Sequence, residues 1–480
     1  MPSSTLNDAL LLPPRSRLLY IGPMKTGTTA IQAAAKDQRQ TLLDHGVRYP
    51  GTKLNHRSGL GALLGWSTVA AERTGPLGPD RLDLDDGGIP DRREWDGLKA
   101  EIEADTSRRI LVSHEFVSQA DDATCRRIVD ELGPDRIHVA ITLRSPATIL
   151  PSLWAQGLKD DAQTEPLENW LSRIYDKAPD RPMPARFRRA YEQAELVQRW
   201  AGLIGPERVT VIVVEKNRPT ALSGTFESLL GLPESMLGRG VDTNRSFTAV
   251  EANVFQRLNS ALADHGVGWH SFSEFVWRGA ANRGVLERTR PDNEPRVGLP
   301  AWAVDAAQQD GKRFAAHIRD SGVRVVGDLD QLGAAPSAAD KVDSDTIDAD
   351  VVVRALTGVI LAGATTQRRA DKRTAQRDAK IKRLDDVTMN LDKTTQRLEA
   401  ERAKSKRLEA DLKRVTHDLS AERKSTLHHR VRKLPPAERP DQTAAAYTTR
   451  ELLAALKRRI KHKLRTGKSK PLKPLPTPRK

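Results

Sequence analysis

The sequence predicts an α/β fold in three layers, a central parallel sheet between helices, followed by a long C-terminal helix or coiled coil and a basic disordered tail. Three observations carry this. Short apolar runs alternate with stretches of helical spacing from residue 17 to about residue 328, the pattern of βαβ units. One of them, Val209-Thr210-Val211-Ile212-Val213-Val214, is β-branched almost throughout, as a strand covered on both faces must be. From about Gln367 glycine and proline give way to charges of both signs in alternation.

Residues 17–21 form a short apolar run that stops at Gly22, as a buried strand would. The stretch 28–43 reads as a helix with Ile31, Ala34, Ala35, Leu42 and Leu43 on its inner face. Residues 51–91, rich in Gly, Pro and Asp, read as loops with one short helix over 60–66. Strands are expected at 109–113 and 137–143, with a helix over 122–132 between them that Gly133-Pro134 ends. Helices are expected over 188–203 and 226–230, and a last short strand over 323–328. Leu384, Leu391, Leu398, Leu412 and Leu419 then share one heptad position, broken by Ser405. Val387, Leu408 and Val415 fall at the partner position, which Thr394 and Glu401 spoil. This is a coiled-coil seam about five heptads long with a weak middle. Beyond Leu434-Pro435-Pro436 the tail is rich in Pro, Lys and Arg, with one amphipathic helix over 448–464. The expected organisation is a disordered N-terminus over 1–15, the α/β domain over 16–335, and a linker with a short helix over 336–365. The coiled coil follows over 366–430 and the basic tail over 431–480.

The chain has 480 residues and a formal net charge of +15. Residues 366–480 hold 34 Lys and Arg against 14 Asp and Glu, leaving 44 against 49 for the rest, so the basic character belongs to the tail. The single cysteine, Cys125, excludes an intrachain disulfide and fits a reducing compartment. Leu10-Leu11-Leu12 before Pro13-Pro14 is too short for a signal h-region, and no apolar run is read as approaching the roughly 18 residues of a membrane span. A cytoplasmic, soluble protein is expected.

Gly22-Pro23-Met24-Lys25-Thr26-Gly27-Thr28-Thr29 lies between the first strand and the first helix. Glycines five apart let the backbone wrap so that successive N–H groups point at one anion, and the helix start adds free N–H groups and a positive dipole end. The loop is P-loop-like. It departs from the nucleotide-triphosphatase pattern, because Thr28 stands where that pattern has lysine and the lysine is Lys25, inside the loop. No convincing acidic strand end is present to hold magnesium. Phosphate binding without a metal is therefore expected, with Lys25 neutralising charge on the transferred group.

This loop resembles the 5′-phosphosulfate-binding loop of sulfotransferases that use 3′-phosphoadenosine 5′-phosphosulfate (PAPS), where P-K-[ST]-G-T-T or a close variant follows the first strand. One residue between Pro23 and Lys25 is common in bacterial members. The resemblance implies a 3′-phosphate site made of an arginine after the third strand and a serine eight residues later, and Arg144 and Ser152 match that spacing. Gly46-Val47-Arg48-Tyr49-Pro50, Asn244-Arg245-Ser246, Arg257-Leu258-Asn259 and Val325-Val326-Gly327-Asp328-Leu329 also look like the bacterial group, over about residues 15–333. It implies PAPS as sulfuryl donor, nucleotide contacts from Lys25, Thr26, Gly27, Thr28, Thr29, Arg144, Ser152 and Arg245, and no metal. A helix cap explains the neighbours of Arg245 equally well.

Sulfuryl transfer needs a base at the mouth of the sheet. Ser113-His114-Glu115 ends the second long strand run and supplies two candidates, His114 and Glu115. The family resemblance makes His56, in Asn55-His56-Arg57-Ser58, a third. The aromatics and arginines between Trp269 and Arg296 suit either a lid over an anionic or sugar acceptor or an ordinary packed edge. The acceptor is expected to be a carbohydrate, a glycolipid or a small-molecule hydroxyl, a cell-envelope glycan by resemblance. Self-association through the coiled coil and contact of the tail with a polyanion or membrane surface are the further partners expected. The competing readings are a P-loop kinase using ATP and a coiled-coil scaffold with a polyanion-binding basic tail.

Overall fold

The computed structural model describes residues 10–65, 90–215, 219–238, 245–334 and 347–432. The chain divides into two units, Met1–Ala370 and Asp371–Lys480. Among the described residues the first unit holds one six-stranded sheet: β1 (Arg17–Ile21), β2 (Val47–Arg48), β3 (Arg109–Ser113), β4 (Ile137–Leu143), β5 (Val209–Val213) and β6 (Arg324–Val326). Every pairing is parallel, in the order β2-β3-β1-β4-β5-β6. The predicted parallel α/β class is borne out.

Side-chain alternation builds the layers. On β1, Leu19 and Ile21 join one buried cluster, with Ile128, Leu150, Trp154, Val197 and Phe314 from helices on that face. Leu18 and Tyr20 join the other, with Ile31, Ala35, Phe226 and Leu229. Both faces are thus covered, which is why β4 and β5 are buried at every position. The chain steps outward from β1 to β2 and β3, then crosses back to β4. The crevice beyond the carboxyl ends of β1, β3 and β4 is therefore the switch point at which such sheets take ligands.

Several elements differ from expectation. The helix expected over 28–43 is two, α1 (Thr28–Asp37) and α2 (Arg39–Asp44), because Gln38 leaves helical geometry and closes the first on the Ala34 carbonyl. The short helix placed over 60–66 is α3 (Arg57–Leu64), and α4 (Arg92–Ala104), capped by Asp91, was not anticipated. Then come α5 (Asp122–Leu132) and α6 (Pro146–Asp160). The 188–203 prediction resolves into Ala185–Tyr191 and Gln193–Ile204, and the 226–230 helix begins at Pro219. A helix over Ala249–Asp264 opens on a capping box of Thr248 and Glu251.

The aromatic-rich segment is a π-helix over Phe272–Val285, and it packs on the start of the last helix, Ala349–Arg432. Their backbones nearly touch: a Cβ on Gly284 or Gly358 would overlap the Arg354 or Gly279 carbonyl oxygen. Phe272 is fully buried, Arg278 pairs with Glu274, and Arg283 donates to Thr365. These are the contacts of a packed edge. An 18-residue window of the last helix reaches a mean hydropathy of 1.4 and is 22% buried. This corrects the reading of no apolar run near 18 residues, which passed over Val351, Val352, Val353, Leu356, Val359, Ile360 and Leu361, a stretch with Arg354 inside it. In the second unit, described to residue 432, the helix exposes its leucines. The N-terminal 1–9, the linker at 335–346 and the tail from 433, with its 448–464 helix, lie outside the described residues.

Candidate functional site

Three strand ends meet at the crevice. The first carries the loop 22–27. Gly22 has no room for a side chain, since a Cβ there would overlap Thr142 Oγ1 on β4. Thr26 fixes the loop from within: its hydroxyl donates to the Pro23 carbonyl at 2.7 Å and pairs with Thr142 Oγ1 at 2.8 Å. Gly27, at φ +94°, precedes α1 and provides no side-chain cap. The first turn of α1, beside buried Thr28 and half-buried Thr29, thus receives no cap from the residue before it.

Lys25 has a left-handed backbone, φ +70°, rare for a residue with a side chain. Its ammonium donates to Gln156 Oε1 on α6 at 2.5 Å. Burial, with Lys159 nearby, lowers its pKa to about 8. Gln156 Nε2 in turn donates to the Asp160 carboxyl, which burial and the charge of Asp161 push up to about 7. Ser152, Gln156 and Asp160 follow at four-residue intervals and share one face of α6.

Arg144 leaves the end of β4, and Gln193 Nε2 anchors its carbonyl at 2.9 Å. The guanidinium donates to the Lys25 carbonyl at 3.4 Å. Burial lowers its pKa, and the charge of Arg296 adds to this. The structure therefore brings the two predicted clusters together at one crevice.

The third strand end carries His114 and Glu115, where β3 passes into a 3-10 turn over Glu115–Gln119. Glu115 Oε2 lies 3.2 Å from His114 Nδ1 and accepts from Gln32 Nε2 at 3.3 Å. Burial would raise its pKa, but the His114 imidazole and the Gln32 amide override that and hold it at about 2. The Glu115 side chain is 22% exposed and His114 1%. His114 Nε2 is buried with no hydrogen-bond partner among the described residues.

Two predicted residues are engaged elsewhere. His56 accepts from the Ser113 N–H at 2.9 Å through Nδ1 and donates to the Pro50 carbonyl at 3.0 Å through Nε2. Burial lowers its pKa to about 4, so it stands as a neutral clamp between strand β3 and the 50–56 loop. Arg245 forks onto Glu251 at 2.7 and 2.8 Å and onto the Val285 carbonyl at 2.7 Å, and Glu251 also holds Arg288 and caps its own helix.

Sequence reading passed over Gln32, Gln156, Asp160 and Arg57. Gln32 was detectable, being a lone amide on the apolar face of α1. Gln156 and Asp160 look like ordinary surface residues of a helix until its docking is known. Arg57 is partly buried, and the charges of Glu115 and Asp160 both act on it. Next to this group Asn55 donates to Gln32 at 3.3 Å and lines a cleft of about 520 Å³ that also touches Lys53, His56, Glu94 and Glu101.

Fold and loop together define a parallel α/β protein with a tightly wrapped, glycine-bounded loop at the carboxyl edge of its sheet. No family model matches the chain, and no curated protein matches it. Among solved structures it is similar to a crystal structure of a sulfotransferase from Alicyclobacillus acidocaldarius, at 19% sequence identity and a TM-score of 0.33, covering 53% of this chain and 96% of that one.

Proposed function

We propose that the chain transfers the sulfuryl group of PAPS to a hydroxyl or amine, on a carbohydrate or glycolipid. One observation carries this: the Arg144 guanidinium reaches the Lys25 carbonyl, so two phosphate-seeking cations from different strand ends flank one crevice. A nucleotide with phosphates at both ends of its ribose fits that pairing, with the 5′-phosphosulfate on the loop and the 3′-phosphate on Arg144 and Ser152. Arginine is suited to the second role because its planar fork grips two oxygens. The residues present fit the donor: uncapped N–H groups, Lys25, and the hydroxyls of Thr28 and Thr29.

In the reaction the acceptor oxygen or nitrogen attacks sulfur while the bond from sulfur to the 5′-phosphate oxygen breaks. The loop N–H groups and Lys25 stabilise the charge that returns to that phosphate. The acceptor proton passes to the His114–Glu115 pair. Glu115 is the exposed member and meets the acceptor, while His114 and Gln32 orient it. A carboxylate held near 2 is ionised at neutral pH but a weak base, so its contribution rests on position more than on driving force.

The test is transfer of labelled sulfate from PAPS into cell extracts, comparing wild type with Lys25→Ala. A loss of roughly 10²-fold or more is expected, with circular dichroism unchanged. Equal incorporation by both proteins overturns the role of Lys25. Transfer of phosphate from ATP, with none of sulfate from PAPS, overturns the reaction.

A further inference from the structure

We propose that residues 384–419 form a parallel, in-register, two-stranded coiled coil with a second copy of this chain. Along this stretch Leu384, Leu391, Leu398, Leu408, Leu412, Val415 and Leu419 are 40–68% exposed on a continuous helix. Heptad spacing stacks them on one side, and no described residue covers that side. A lone helix of this composition gains little from its own hydrogen bonds in water, and helices in proteins owe most of their stability to burying such a face.

The argument for a second copy, over an unrelated partner, is self-complementarity. In register, each leucine of the main row meets its own counterpart, giving five leucine layers. Counting Leu384 as the first position of a heptad, Lys404 faces the second copy's Glu409, and Asp418 faces the second copy's Arg423. The weak middle also closes on itself, for Glu401 packs beside the second copy's Arg402. Arg397 opposite the second copy's Arg402 is a like-charged pair, and in register Glu401 meets its own counterpart at the seam, with these arginines on either side of it. Thr394, Glu401 and Ser405 keep the seam narrow and polar at its centre, which suits two strands, since a larger bundle would bury more of these groups.

The full chain is examined by sedimentation from 1 to 50 μM, alongside a Leu391→Asp/Leu412→Asp double variant. Wild type is expected at twice the chain mass, and the double variant at the chain mass with unchanged binding of adenosine 3′,5′-bisphosphate. Glu422→Cys, at a seam position near the C-terminal end, is expected to form an intermolecular disulfide on mild oxidation. In an antiparallel pair the two sulfurs would sit about 60 Å or more apart at 1.5 Å per residue. A wild-type monomer overturns the proposal and assigns the seam to a different chain. A trimer or tetramer overturns the two-stranded form, and a dimer without the Glu422→Cys link overturns the parallel register. The mass and disulfide readouts stand whether or not the chain binds a nucleotide.

Discussion

At the scale of single residues the site is a set of charges held away from their solution values. Lys25 is the clearest case: burial leaves its ammonium about half deprotonated at pH 8. A phosphate bound on the loop would stabilise the charged form and return the lysine toward its ordinary range. Binding of adenosine 3′,5′-bisphosphate at pH 8 should therefore take up about half a proton, and affinity should fall as pH rises through 8. Calorimetry in two buffers of different ionisation heat measures this directly, and Lys25→Ala should abolish the uptake. Glu115, held at about 2, lies on the opposite side of neutrality and adds no titration between pH 5 and 8.

At the scale of elements the site is a matter of strand ends. Lys25 and Arg144 were legible because one lies in the glycine-bounded loop after an apolar run and the other directly follows one, and a parallel sheet delivers such strand ends to one edge. His114 and Glu115 were legible on the same ground. Of the amides around them, Gln32 stood out as a lone polar residue on an apolar helix face, whereas Gln156 acquires its role only when α6 docks. The two-residue strand β2 has no periodicity of its own and forms through its pairing with Arg109 and Ile110. Another element-level feature is the crossing of the π-helix with the last helix, where Gly279, Gly284 and Gly358 let two backbones meet. Gly358→Val is expected to destabilise the first unit by about 1–3 kcal/mol through overpacking, read as a lower melting temperature. An exposed glycine such as Gly97, with open space around its Cβ, should gain slightly from Ala as a control.

At the scale of the molecule the buried ionisable groups set the response to acid. His56 and His138 are both lowered to about 4 by burial. Between about 6.5 and 4 the unfolded chain therefore binds protons that these residues refuse when folded, and stability falls as pH drops through that window. Asp160, raised to about 7, works in the opposite sense over the same range, but it is one group against two. Asp105, Glu115 and Glu131 are held at about 2, so their contribution is intact above about 4.5 and lost as pH falls toward 2. Thermal melts from pH 6.5 to 2.5 should show a first descent from 6.5 to 4 and a second below 4.5. A melting temperature that stays level from 6.5 to 4 would contradict the burial of two neutral imidazoles.

The twisted backbone at Lys25 gives the loop an unusual economy. An L-residue forced to φ +70° sits about 1 kcal/mol or more above its relaxed form, and glycine at the same place would rest easily. A chain selected for durability alone would put glycine there. Keeping a cation at the tightest point of the wrap means that folding itself bends the backbone that carries the charge, and Gln156 holds its tip in place.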